Sequence, residues 1–154
     1  ELKDLQIFVD ADACPVKEEA AKVAARHKLV IHYVSNSHMR LPFGHNVKRV
    51  VVSDGADVTD DWIAKQCAAV DIVVTADIPL ASRAIKKGVQ VISHIGRPFT
   101  QDSIGMALAM RDLMAQLRES GEMRGSNPVF APKDRSNFLQ GLENAIQVGK
   151  RSGP

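Results

Sequence analysis

Five short apolar runs punctuate the first two-thirds of the chain, and each ends on polar residues. Gln6–Val9 leads into Asp10, Leu29–Val34 into Ser35-Asn36, and Arg49–Val52 into Ser53-Asp54. Asp71–Val74 leads into Thr75-Ala76-Asp77, and Val89–Ile92 into Ser93-His94. Runs this short, mostly apolar and bounded by polar turns, predict strands covered on both faces. Between them the apolar period lengthens to that of a helix. Val16, Ala20, Val23, Ala24 and His27 share one face of a helix predicted to start at Pro15, with Asp12 or Cys14 near its cap. A second helix is predicted over Asp57–Ala69 and a third over Pro79–Lys87, stopped by Gly88. A fourth follows Thr100 and runs to Ser120, with Ile104, Leu108, Leu113 and Leu117 at its apolar positions and Gly121 as its stop. The breakers Gly125, Pro128 and Pro132 predict a loop over Glu122–Asn137, Ser136–Val148 a last helix, and Gly149–Pro154 a flexible tail.

Alternating strands and helices predict an α/β fold: three layers, α/β/α, around a mainly parallel, about five-stranded Rossmann-like sheet. Residues 1–148 are expected to form one domain. Strands two and three are joined by Ser35–Lys48, a long loop carrying His38, Arg40 and His45. Such loops in compact domains are often functional.

In an open α/β sheet, ligands bind outside the carboxyl ends of the strands. That edge is predicted to gather Asp10 and Asp12, Ser35 and Asn36, Ser53, Asp54 and Asp57, Thr75 and Asp77, and His94 and Arg97. Aspartates held together repel one another, and a hard divalent cation relieves the repulsion. Mg²⁺ takes oxygen ligands and usually one or two carboxylates directly. Asp10 and Asp77 are the first candidate pair, because strands one and four are neighbours in the usual strand orders. Asp57 and Asp61, four apart, share a helix face and are candidates to support them. Each acid also has an ordinary reading. Asp12, Asp57 and Asp77 can cap helices, and Asp60 and Asp61 suit a first helical turn.

Composition narrows the class. The 154 residues are 45% hydrophobic and 25% charged, as in globular domains. No apolar run approaches the roughly 20 residues of a membrane span. No secretory signal pattern is seen, and two cysteines, Cys14 and Cys67, make no disulfide framework, so a reducing cytoplasm is expected. The net charge of +2 hides an asymmetry: residues 1–80 carry nine Lys/Arg against twelve Asp/Glu, and residues 81–154 eleven against six. An acidic centre beside a basic flank suits a phosphate-bearing substrate; solvated helix faces are the ordinary alternative. Cys14 at a helix start is read as packing rather than as a nucleophile. The histidines lack zinc spacing, and Trp62 and Tyr33 are too few for a base-stacking platform.

Four stretches carry a resemblance: Phe8–Lys17, Ser53–Trp62, Asp71–Leu80 and Gly96–Thr100. Together they resemble the YaiI/YqxD family of bacterial proteins over nearly the whole chain. That family resembles a distant branch of the PIN-like nucleases, which include the NYN group. The resemblance implies an aspartate centre for Mg²⁺ or Mn²⁺. Asp10 matches the acid after strand one, Asp57 and Asp61 the helix acids, and Asp77 the acid after strand four. Asp12 and Cys14-Pro15 are not general PIN features, and no second acid follows Asp77 closely. The expected function is a metal-dependent nuclease acting on RNA. Asp10 and Asp77 would hold the metal and Asp12, Asp57 and Asp61 would assist, while Lys17, Asn36, Arg40 and Arg97 would hold substrate. Two alternatives stand beside it. One is a haloacid-dehalogenase-like phosphohydrolase with Asp10 as nucleophile. The other is a non-catalytic nucleotide- or RNA-binding module.

Overall fold

A computed structural model of the chain describes residues 4–12, 14–55, 57–121 and 130–152. Its first strand, β1 (Ile7–Asp10), is central. On one side it pairs with β2 (Ile31–Ser35), which pairs with β3 (Val47–Val51). On the other it pairs with β4 (Ile72–Val74), which pairs with β5 (Gln90–Ile92). All four pairings are parallel, so all five carboxyl ends open on one edge. A sixth strand, β6 (Pro98–Phe99), adds antiparallel to β5 and completes the order β3-β2-β1-β4-β5-β6. The sequence does not announce β6. It is two residues long and begins on proline, which an edge strand tolerates.

Alternate side chains of the central strands feed two cores. Ile7, Val9, Ile31, Tyr33, Ile72 and Val74 point to one face, where α1 (Lys17–Arg26) and α5 (Pro132–Ser152) cover them. Phe8, Val34, Val73 and Val91 point to the other. There α2 (Val58–Gln66), α3 (Ile78–Lys86) and α4 (Gln101–Glu119) contribute Ile63, Leu80, Ala84 and Ile104. This is the expected three-layer arrangement. Burial on both faces explains why these strands read as apolar runs.

Several boundaries differ from expectation: β2 starts at Ile31 rather than Leu29, β3 at Val47 rather than Arg49, and α2 ends at Gln66 rather than Ala69. Pro15 lies just outside α1, whose cap position is Val16 with no side-chain cap. Pro132, read as a breaker, instead opens α5, where a missing N–H costs nothing. The part of the predicted loop over Glu122–Val129 lies outside the described residues. At its other end α5 continues through Gly149 to Ser152, where a flexible tail was expected. Gly149 is packed: a Cβ there would meet Leu5 Cδ1 at 2.3 Å. Gly153 and Pro154 lie outside the described residues.

Helix α5 is clamped to the sheet by contact between backbones. A Cβ on Gly141 would lie 2.3 Å from the Gly96 carbonyl oxygen, and one on Gly96 would lie 2.1 Å from the Asn137 carbonyl oxygen. Gly96 also has φ +80° in the turn between β5 and β6, a conformation favouring glycine. Glu143 of α5 ties the helix to α1 through Arg26 at 2.7 Å and His27 at 2.8 Å.

Helix propensity favours alanine over glycine, but the contact reverses the sign at Gly141. Gly141→Ala should cost roughly 1–3 kcal/mol by overpacking. Gly105→Ala, in α4 with nothing near its Cβ position, should gain about 0.5–1 kcal/mol. Denaturant melts of the two variants check this; equal stabilities would contradict the clamp.

Candidate functional site

The carboxyl edge of β1, β4 and β5 carries a cavity of about 350 Å³ beneath the first turn of α2. Asp10, Asp12, Asp60 and Asp77 line it, with Thr59 and His94. Asn36 and Ala76 complete the wall.

Asp10 ends β1, and a neighbouring strand end holds it in place. The buried Thr75 hydroxyl donates to Asp10 Oδ2 at 2.9 Å and accepts the Asp77 backbone N–H at 2.9 Å. One side chain therefore fixes both the carboxylate after β1 and the turn after β4. Burial pushes the Asp10 carboxyl above the ordinary range. The Thr75 hydrogen bond opposes that rise, and the Asp77 and Asp12 charges add to it. Asp77 caps α3, its Oδ1 accepting the Leu80 N–H at 2.9 Å. The ordinary reading of Asp77 is therefore correct, and it coexists with a place in the cavity wall.

Asp12 does not cap α1. Its Oδ2 accepts the Asn36 backbone N–H at 3.2 Å, tying the loop after β1 to the end of β2. The Asn36 side chain reaches on to the Gly55 carbonyl at 3.4 Å, so three strand-end loops are linked. Asn36 thus has a positioning role visible in the fold.

The acid that α2 supplies is Asp60. Burial, then the charges of Asp77, Asp10 and Asp57, push its carboxyl up to about 6, against a lowering by Arg83. Asp61 turns away to pair with Arg83 at 2.6 Å on the exposed side. Asp57 occupies the α2 cap position, exposed and without a side-chain cap bond. Neither Asp57 nor Asp61 lines the cavity. The signal for Asp60 was present in the chain. It lies three and four residues before Ile63 and Ala64, which face the core, whereas Asp61 lies four before the exposed Lys65.

His94, named in the sequence only as a strand-end residue, is in the wall. Burial holds its imidazole below the usual range, and the nearby Lys17 charge lowers it further. Lys17 Nζ donates to the Cys14 carbonyl at 2.7 Å. Lys17 and Arg40 line a separate groove of about 520 Å³ against α1, together with Lys22 and Phe43. The Phe43 ring is fully exposed at 102%. Arg97 is exposed in the turn before β6, its N–H held by Ser93 Oγ at 3.2 Å, and it does not line the cavity. Cys14 is buried, and burial pushes its thiol up to about 11. That agrees with a packing role.

Among the described residues, no group of three or more His, Cys, Asp or Glu converges tightly enough to form a metal cage. No described helix is long and apolar enough to cross a membrane.

Fold and site together define a three-layer α/β domain with an aspartate-lined cavity at the carboxyl edge of its sheet. The model of a family described as "Uncharacterized BCR, YaiI/YqxD family" matches residues 8–148. The chain belongs to the YaiI/YqxD family. It is 61% identical over 150 residues to a UPF0178 protein of Parvibaculum lavamentivorans, covering 97% of this chain and 98% of the relative. A UPF0178 protein of Rhodospirillum rubrum is 55% identical over 150 residues, covering 96% and 99%. One from Agrobacterium fabrum is 55% identical over 146 residues, covering 95% of each. No solved structure matches the chain.

The raised Asp60 carboxyl makes a prediction about pH. The folded chain holds this proton more tightly than the unfolded one. The stabilisation is full below about pH 4, near the ordinary carboxylate value of 3.8, and is lost as pH rises through about 6. In metal-free protein, Asp60→Asn should flatten the fall in melting temperature between pH 4 and 7. Identical slopes for variant and wild type would contradict the assignment.

Proposed function

We propose that this protein is a metal-dependent phosphodiesterase that cleaves RNA. The observation that carries the reading is the crowding of Asp10, Asp60 and Asp77 in one cavity, where burial and mutual repulsion raise Asp10 and Asp60. Such crowding is costly unless a cation neutralises it. The donor set fits a hard divalent ion, because all four acids present oxygen. Mg²⁺ and Mn²⁺ favour oxygen ligands, and Mg²⁺ needs only one or two carboxylates, so a three-residue cage is not required. Asp10 and Asp77 would hold the ion, with Asp12 and Asp60 beside them. Asp57 and Asp61 would act at most through charge. When bound, the ion would supply charge neutralisation and an acidified water.

The chain's own residues prepare that chemistry. Thr75 holds Asp10 in one orientation, and the α3 N-terminus fixes Asp77. RNA as substrate draws support from the groove at α1. Lys17, Lys22 and Arg40 offer cations to a phosphate backbone, and the exposed Phe43 ring offers a face to a base. Arg97 offers a further cation outside the cavity.

Cleavage of single-stranded RNA with Mn²⁺ tests the reading. Asp10→Asn should lose about 100-fold or more, and Thr75→Val about 10–100-fold as the residue that orients Asp10. Equal cleavage by wild type and Asp10→Asn would remove the proposed centre. Tight RNA binding without turnover would favour a binding module, and a trapped phospho-aspartate at Asp10 a phosphohydrolase. In metal-free anisotropy titrations, Phe43→Ala should weaken RNA binding by about 1–3 kcal/mol; unchanged affinity would take RNA off this groove.

A further inference from the structure

Thr59 Oγ1 and His94 Nε2 are buried without a hydrogen-bond partner among the described residues. Both residues line the aspartate cavity. Buried polar atoms are bonded in the great majority of cases, and an exception calls for a cause such as an absent ligand or water. Here two exceptions share one cavity, although their residues come from different elements. Thr59 lies in the first turn of α2 and His94 follows β5.

Thr59 is only 6% exposed. A helical threonine often satisfies its hydroxyl on the carbonyl one turn back. That carbonyl, on Gly55, already receives the Asn36 amide at 3.4 Å and the Val58 N–H at 3.5 Å. The hydroxyl is thus left without a partner in its own helix, in a residue that lines the cavity. The chemistry of the wall is divided. Asp10, Asp12, Asp60 and Asp77 offer acceptors and negative charge, which attract a cation and repel an anion. Thr59 offers an O–H, and an imidazole protonated at Nε2 offers an N–H, so both can serve as neutral donors. Such a wall complements a cation and, once the cation offsets the carboxylates, an oxygen-rich anionic group beside it.

We propose that Thr59 Oγ1 and His94 Nε2 donate hydrogen bonds to a phosphoryl oxygen of the substrate. The cavity would then recognise the phosphoryl group itself, while the α1 groove holds the rest of the strand. This inference rests on the metal-dependent reading of the same cavity, because without a cation the carboxylates would expel the phosphate.

The test uses adenosine 5′-monophosphate as the probe, titrated into the protein by calorimetry with saturating Mn²⁺. Thr59→Val and His94→Leu remove the donors; Thr59→Ser and His94→Gln retain one. Each removal should weaken binding about tenfold, the scale of one hydrogen bond to a charged group. The retaining variants should stay close to wild type. Metal-free Thr59→Val should melt no lower than wild type, because the hydroxyl it loses has no partner in the fold. A purely structural role predicts the opposite: a lower melting temperature with nucleotide affinity unchanged. If Mn²⁺ alone fails to raise the wild-type melting temperature, the metal-dependent reading falls and this inference falls with it. If Mn²⁺ stabilises the protein but Thr59→Val and His94→Leu bind the nucleotide as wild type does, this inference alone is overturned, and water is the natural occupant of both atoms.

Discussion

The Thr75 hydroxyl joins the two halves of the site. It stands at the end of β4, fully buried, donating to the Asp10 carboxylate and accepting from the Asp77 backbone. Asp10 follows three buried residues of the central strand, where a carboxylate left without a donor would lose its charge or weaken the fold. Thr75 supplies that donor across the β1–β4 pairing. The same hydroxyl, accepting the Asp77 N–H in a second bond, sets the turn that delivers Asp77 to the N-terminus of α3. Two acids far apart in sequence thus take a fixed relation through one neutral side chain.

The sheet topology makes this bond available. The parallel β1–β4 register pairs Val9 with Val74, so Asp10 and Thr75 emerge side by side on the same edge. Helix α2 lies on the face that holds Phe8 and Val73 and brings Asp60 and Thr59 over that edge. On the opposite face, α1 and α5 pack as a unit, and the close approach of Gly141 to Gly96 anchors the turn beyond His94. The cavity is therefore built from one strand end, one helix turn and the loops just past the strands, which supply Asp12, Asn36, Ala76, Asp77 and His94 and which the hydrogen bonds of Thr75, Asp12 and Asp77 tie down. That construction suits the fixing of charge. It also concentrates negative charge, which a bound cation would offset.

Much of this was legible in the chain. The apolar runs gave five parallel strands and the polar residues ending them gave the rim, because strands and their carboxyl ends follow simple rules, but only the inner four are doubly covered: β3, expected to be buried, lies at the sheet edge and is largely exposed. Asp10, Asp12, Asn36 and Asp77 were found that way. The acid on α2 was misassigned between neighbours. Asp57 and Asp61 share a face by spacing, but the core contacts of Ile63 and Ala64 turn Asp60 inward. Counting from the apolar anchors would have found it. Other features were not legible. Strand β6 is too short to carry a period, and the start of α5 at Pro132 depends on whether a proline opens or ends a helix. The orphan atoms of Thr59 and His94 are a property of three-dimensional packing, with no signature in sequence. The sequence alone groups Lys17, Arg40 and Arg97 as cations that hold substrate. In the fold, Lys17 and Arg40 line the α1 groove and Arg97 stands apart beside β6.

The central claim is that the Asp10–Asp77 pair, set by Thr75, holds a divalent cation. The most direct measurement is anomalous diffraction from crystals grown with Mn²⁺, for wild type and Thr75→Val. The account predicts one strong peak against the Asp10 and Asp77 carboxylates in wild type, weakened or lost in the variant. A cavity without a peak at saturating Mn²⁺, or a peak of equal strength in both proteins, would contradict it.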